Sequence, residues 1–342
     1  MSKSKLIVSI AGLILLIGII LIVFLYQCLF VPCTNNNQTN YLYIDRDDNI
    51  DSLSIKLQDV GKIKRMTGFN LLSKYQNFDE KIHTGRYEIV SGKSILDLYR
   101  QLSRGQQSPL KLTVPSTRTI GQLIKTLDKQ LMVDSTEISK QLFDKEYYKT
   151  LGFDERTLPS FFIPNTYEVY WNISAESLLK RLKQEYDRYW NEQRRQKAQA
   201  QGLTPLEVSV LASIVDEETA KNDEKPIVAG LYLNRLHRGM LLQADPTVKF
   251  ALNDPTIRRI LFSHLEIDSP YNTYKNEGLP PGPIRVASLQ ALESVLNPTQ
   301  HDYLYMCAKE DFSGYHNFAV TNAQHAANAR RYQQALNQRG IR

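Results

Sequence analysis

The pattern of apolar and polar positions changes character along the chain. From Leu6 to Phe30 the residues are almost uncharged and apolar. That run exceeds the roughly 20 residues needed to cross a bilayer, so it predicts a transmembrane helix. Residues 31–40 are polar and Asn-rich and read as a tether. A strand-like stretch that leads through a turn into an amphipathic helix then recurs. Tyr43-Ile44 precede Ile50, Leu53 and Leu57; Tyr87 and Ile89 precede Ile95, Leu98 and Leu102; Leu112 and Val114 precede Ile120, Leu123 and Leu127. Each apolar triplet follows i, i+3, i+7, one face of a helix. A further helix is expected between Ile63 and Tyr75, which makes this region a small α+β module.

Beyond Asp128 helical periodicity dominates. Helices are expected over Thr136 to Phe143, Ser174 to about Gln201, Thr204 to about Thr219, and Lys225 to Arg238. Gly202 has the chemistry to end the long Ser174 helix. The next helix opens well: Thr204 suits the N-cap, Pro205 the first position, and Glu207 completes a capping box.

That helix runs from Leu206 through an apolar stretch into three consecutive acids, Asp216, Glu217 and Glu218. Successive residues advance about 100° around a helix axis. With Leu211 at zero, Val208, Val210, Ile214 and Val215 average close to zero. Glu218 falls about 20° from zero, in the apolar stripe, while Asp216 falls about 140° away on the face expected to meet solvent. Glu217 sits at the edge. A carboxyl group turned inward is costly unless paired or protonated, which raises its pKa and suits it to general acid work. Acid-rich helix ends are more often solvated faces, but the phase of Glu218 does not fit that reading.

Polar loops lie on either side of this helix in sequence: Phe161 to Tyr167, Leu242 to Thr247, Ser269 to Tyr274, and His316 to Phe318 with His325. Asn, Gln, Thr and Tyr there would suit a carbohydrate groove, with Pro280, Pro281 and Pro283 as a stiff wall. The alternatives are structural: Asp245 before Pro246 starts a turn, and Tyr271 and Tyr274 belong to the core.

Composition narrows the field. With 42% hydrophobic residues the chain can bury a sizeable core, and its net charge of +6 is dispersed. No nucleic-acid motif, Gly-rich phosphate loop, nucleophile elbow or zinc signature is present, so neither nucleic acid, cofactor nor metal is expected. Cys28, Cys33 and Cys307 form no disulfide framework. Lys3 and Lys5 before the apolar run keep the N-terminus cytoplasmic and place the rest on the far side of the membrane. Tyr26, Gln27 and Leu29 around Cys28 suit neither signal cleavage nor lipid attachment, so the helix reads as an uncleaved anchor.

Several blocks now carry a resemblance: Leu211 to Thr219, Asn234-Arg-Leu236, Gly239-Met240, Gln243 to Val248, Tyr271-Asn-Thr-Tyr274, Gly278 to Ile284, Pro298, Tyr303-Leu-Tyr305 and His316-Asn-Phe318. In this order they closely resemble the MltG (YceG-like) family of endolytic peptidoglycan transglycosylases. The resemblance covers nearly everything after the tether. It implies an α+β protein with a single transmembrane helix (6–30) after a cytoplasmic N-terminus (1–5). The tether (31–40), a small LysM-like module (41–108) and a mainly helical catalytic domain with short strands (109–342) follow. It also implies a periplasmic or extracytoplasmic catalytic domain anchored in the inner membrane. Peptidoglycan glycan strands would be the substrate and peptidoglycan synthases the partners.

The family's catalytic Glu maps onto Glu218, the residue that helical phase selects. Substrate-binding roles are implied for Tyr167, Gln243, Asp245, Asn272, Thr273 and Tyr274. The chain departs from the family pattern in places. Asp216 stands for Glu and Glu217 for Lys in the acid motif, Asn165 for Asp before Thr166-Tyr167, and Ala244 for a residue that often carries a hydroxyl. Pro115-Ser-Thr-Arg118 also lacks the Glu-Gly usual after the third strand. The implied reaction is non-hydrolytic cleavage of the MurNAc-β-1,4-GlcNAc bond to 1,6-anhydro-MurNAc ends, which would terminate glycan elongation. The competing readings are a non-catalytic peptidoglycan-binding scaffold and a hydrolytic muramidase that uses a second carboxylate, for which Asp245 is the candidate.

Overall fold

The first element of the computed structural model is α1 (Lys3–Leu29), whose segment Lys5–Leu29 is long and apolar enough to cross a membrane. The structure describes residues 3–34, 38–63, 65–254, 256–257 and 259–340. The middle of the expected tether, 35–37, and the first two residues of the expected cytoplasmic N-terminus lie outside them.

The chain divides into two units, Met1–Lys111 with Glu168–Ile173, and Leu112–Tyr167 with Ser174–Arg342. In the first, β1 (Asn40–Ile44), α2 (Ile50–Asp59), α3 (Thr67–Tyr75), β2 (Gly85–Ile89) and α4 (Ile95–Ser103) follow α1. β1 and β2 pair antiparallel, from Asn40 opposite Ile89 to Ile44 opposite Gly85. Strand alternation puts Leu42, Ile44, Tyr87 and Ile89 on the buried face. Leu53 and Leu57 of α2, and Ile95, Leu98 and Leu102 of α4, cover them as their spacing predicts. A side chain at Gly68 of α3 would collide with the Cys28 carbonyl, so glycine there permits the close approach of α1.

β3 (Leu110–Val114) and β4 (Asn165–Val169) form a two-stranded ladder, and the division between units falls within these strands. Between them run α5 (Ile120–Asp128), α6 (Ser135–Leu142) and α7 (Lys145–Thr150). After them come α8 (Ala175–Tyr189), α9 (Glu192–Ala200), α10 (Pro205–Glu218), α11 (Lys225–His237), α12 (Asp245–Leu252) and α13 (Leu289–Leu296). The antiparallel pair β5 (Tyr305–Ala308) and β6 (His316–Ala319), then α14 (Asn322–Gln338), complete the second unit.

The single helix expected from Ser174 to Gln201 is two helices. Trp190 leaves helical geometry and is buried, and the Asn191 side chain accepts from the Arg194 N–H at 3.0 Å, which caps α9. The apolar positions of α8 end at Trp190, and the polar residues that follow include no Gly or Pro before Gly202, so the pattern did not reveal the break.

α10 is the centre of the second unit. It packs on α9, α11, α12 and α13, and Val208 through Val215 are all buried. The expected stripe is therefore a helix enclosed on all sides. Its N-terminus carries the predicted capping box, with Glu207 Oε2 accepting from the Thr204 N–H at 2.7 Å. Ser213 Oγ accepts from the Ile284 N–H at 3.0 Å and ties the Pro-rich segment to the helix. That segment does not wall the cavity beside Glu218: Gly278 to Pro281 border a separate depression with Leu203 and Val210.

Candidate active site

The acids at the end of α10 meet different surroundings. A helix C-terminus carries partial negative charge, which disfavours acids, and the last turn of α10 holds no basic residue of its own. Cations come from elsewhere in the fold. Asp216 is not solvated as its phase suggested: its side chain is 4% exposed and lies 2.7 Å from Lys225 Nζ. It also accepts from Ser288, from the backbone N–H at 2.5 Å and Oγ at 2.7 Å. The opposite face of the helix is filled by the start of α11 and the cap of α13, which helical phase cannot foresee. Glu217 takes a bidentate pair from Arg118 at 3.0 and 2.8 Å and a further bond from Arg285 at 2.8 Å.

Glu218 has no such ion pair among the described residues. Its Oε1 accepts from the Tyr232 hydroxyl at 2.7 Å, and its carboxyl borders a cavity of about 490 Å³. Burial pushes the Glu218 pKa from 4.5 up to about 7; the Tyr232 hydrogen bond opposes this, Asp245 adds to it, and His316 and Arg235 oppose it. A carboxyl poised near neutrality can both give and take a proton.

The cavity wall is built from several segments. Tyr232 and Arg235, one turn apart on α11, both reach it. Arg235 is buried and donates to the carbonyls of Leu304, Leu241 and Leu242 at 2.6, 3.1 and 2.8 Å. It therefore holds β5 and the turn before α12 in place. Gln243 and Asp245 line the cavity from that turn, with Gln243 at φ 50°, a conformation costly for a side-chain-bearing residue. Tyr274 donates to Asp245 Oδ1 at 2.6 Å, and burial together with Asp245 raises the phenol's pKa. Tyr305 and His325 form a stacked wall, centroids 5.4 Å apart, and burial followed by the Arg235 charge lowers the His325 pKa. His316 is held by Glu224, whose carboxylate lies 2.8 Å from Nδ1 and accepts from the His316 N–H at 2.7 Å.

Of the residues singled out in the sequence, Glu218, Gln243, Asp245 and Tyr274 thus meet at one cavity. Tyr167, Asn272 and Thr273 do not line it. Tyr167 is buried and donates to the Ile163 carbonyl at 2.6 Å. Asn272 is fully buried and donates to the Leu265 and Ile267 carbonyls, both at 2.8 Å. Thr273 Oγ1 accepts from the Ala244 N–H at 3.0 Å and bonds Thr247 Oγ1 at 2.9 Å, fixing the turn that presents Gln243 and Asp245. Asn272 and Thr273 thus belong to the scaffold behind the cavity, and Tyr167 packs elsewhere in the unit, beside α8. His316 and His325, from the last of the polar loops, also line the cavity, whereas Tyr232 and Arg235 were given no role from the sequence. Tyr232 and Arg235 share an i, i+3 spacing on a helix whose Val228, Leu231 and Leu233 are buried, the kind of signal that marked Glu218. Among the described residues no group of three or more His, Cys, Asp or Glu is placed to hold a metal ion. The three cysteines are free thiols.

An acid housed this way, at a polar cavity in a mainly helical unit with short strands, is the setting that general acid–base chemistry requires. The YceG-like family profile matches residues 42–331, and the chain belongs to that family. It is 28% identical over 300 residues to the endolytic murein transglycosylase of Streptococcus pneumoniae strain D39, covering 78% of this chain and 53% of that protein. To the endolytic murein transglycosylase of Bacillus subtilis strain 168 it is 26% identical over 310 residues, 84% of each. A crystal structure of a YceG-like protein from Listeria monocytogenes is similar with a TM-score of 0.57 at 25% identity, covering 85% of this chain and 99% of that one. The chain spans about half the length of the pneumococcal relative.

Proposed function

We propose that this protein is a membrane-anchored endolytic transglycosylase that cuts the MurNAc-β-1,4-GlcNAc bond of nascent peptidoglycan strands and leaves 1,6-anhydro-MurNAc ends. The observation that carries this reading is the Glu218 carboxyl at the edge of a polar cavity, bonded among the described residues by the Tyr232 hydroxyl alone and raised to about 7. Protonated Glu218 gives its proton to the glycosidic oxygen as the bond to C1 breaks. The muramic acetamido group shares the positive charge that develops. The carboxylate then takes the proton of the C6 hydroxyl as O6 closes on C1. Where ordinary glycosidases commonly use two carboxyl groups, this sequence needs one and no water.

Gln243, Asp245 and Tyr274 border the same cavity and would contact the glycan, whereas Asn272 and Thr273 would act by holding them. The β1–α2–α3–β2 order of the first unit supports its reading as a LysM-like module, which would raise the local concentration of glycan at the site. With α1 in the inner membrane and the N-terminus cytoplasmic, both units would work outside the cytoplasm, where peptidoglycan synthases would be partners. Such cuts would terminate strand growth.

Mass analysis of peptidoglycan digested by the full-length chain in detergent tests the reading. Anhydro ends are expected. Reducing ends would instead make it a muramidase, with Asp245 as second carboxylate, and intact glycan would make it a binding scaffold.

A further inference from the structure

Two of the chain's departures from the family pattern meet in the fold. Glu217 stands where Lys is expected, and Ser116 and Arg118 lie in the segment that lacks Glu-Gly. Arg118 pairs with Glu217 through both its carboxylate oxygens. Arg285 joins them from the segment before α13: one terminal nitrogen donates to Glu217 at 2.8 Å and the other to Ser116 Oγ at 2.9 Å, while Nε lies 4.0 Å from Asp216. Ser116 Oγ in turn donates to the Val286 carbonyl at 2.6 Å. The Glu217 and Arg285 side chains are 13% and 18% exposed; that of Arg118 is 62% exposed.

We propose that Arg118, Glu217 and Arg285 form a charge-inverted clamp that positions Glu218, with the acid on α10 and the cations on the segments around it. α10 ends at Glu218, and Thr219 already has extended backbone geometry. The last carbonyls of a helix lack the full set of backbone partners, so side chains must fix its final turn. Asp216 ties one side of that turn to Lys225 and Ser288, and Glu217 ties the other to the arginines. Glu218 lies between these anchors and the cavity. A carboxyl group that must reach the glycosidic oxygen and then O6 tolerates little displacement. Restoring the family's lysine at 217 would set three cations against one another, so reversion to the common residue harms this chain.

The inference rests on Glu218 as the acid, and the test separates the two. In full-length chain in detergent micelles, Glu217→Lys lowers kcat about tenfold or more with KM within about twofold, and Glu217→Lys with Arg285→Glu recovers most of the loss. Arg118→Gln, on the exposed side and safe for folding, lowers kcat about two- to threefold at an unchanged Tm and displaces the alkaline limb of its pH profile. Wild-type kcat and pH profile in Glu217→Lys, or in Arg118→Gln if the former does not fold, would overturn the clamp. If the wild-type chain yields no anhydro product, the transglycosylase reading alone fails. The clamp is then decided by 13C NMR titration of the Glu218 carboxyl, which shifts in Arg118→Gln if the clamp positions it and stays put if it does not.

Discussion

Asp216 and Glu218 sit on the same last turn of one helix and are treated in opposite ways. Asp216 is enclosed by Lys225, Arg285 and Ser288, so its charge is matched by cations and by donors that fit both oxygens. Glu218 borders the cavity with, among the described residues, only a neutral phenol bonded to it, among charges of mixed sign. Burial is common to both; compensation is not. A buried carboxylate with cations becomes a structural tie, and breaking one partner leaves an uncompensated charge. A buried carboxyl with a neutral donor answers by holding its proton. A fold can therefore build an anchor and an acid from adjacent side chains of almost the same chemistry.

The comparison can be broken at several points. The largest effect is expected from Glu218→Gln, which keeps the fold and abolishes anhydro-product release, a loss of at least the roughly 10²–10⁴-fold that general acid–base work supplies. Normal product from this folded variant would end the assignment. Next, Lys225→Met strands the Asp216 charge and should cost about 3–5 kcal/mol, read as a fall in Tm. A variant as stable as the parent would show that Asp216 does not need its cation.

Third, Glu218 itself costs stability at high pH. Its folded pKa of about 7 lies above the ordinary 4.5, so between these values the native state keeps a proton that the unfolded chain releases. Stability is fully retained below pH 4.5 and falls as pH rises through 7, by an amount on the order of 3 kcal/mol. Glu218→Gln should thus be more stable than the parent at pH 8 and gain little at pH 4.5; chemical denaturation at the two pH values checks it, and equal gains at both would contradict it. The smallest effect is that of Tyr232→Phe. Loss of a hydrogen bond that favours the carboxylate raises the Glu218 pKa, so the alkaline limb of kcat/KM should move up by about half to one pH unit. A downward move would mean that the phenol acts otherwise.

Much of this contrast was readable in the residues, and the remainder was not for definite reasons. Local chemistry wrote itself plainly: the Thr204 capping box, the apolar triplets of α2, α4 and α5, and the inward phase of Glu218 are short-range properties of the chain. Asp216 was placed in solvent because helical phase gives direction but not what lies there, and Lys225 and Ser288 arrive from other helices. The break at Trp190 escaped because an Asn cap in mid-pattern looks like a polar surface position. Asn272 and Thr273 carried the polar chemistry expected of a glycan contact, yet buried loops need such side chains to satisfy their own backbone. Only the fold separates these from Tyr274, their immediate neighbour, which reaches the cavity.

The Tyr232 hydroxyl claims Glu218 Oε1, and none of the described residues donates to Oε2. On the proposed reaction this gives the carboxyl a handedness. The proton leaves from Oε2 toward the departing sugar and must come back to Oε2 from the C6 hydroxyl. In a β-linked muramyl residue the departing oxygen and the incoming O6 both lie on the β face of the ring. A single oxygen atom can therefore serve both without the carboxyl turning over. The enzyme finishes each cut in the protonation state in which it began, ready for the next strand without exchanging a proton with solvent.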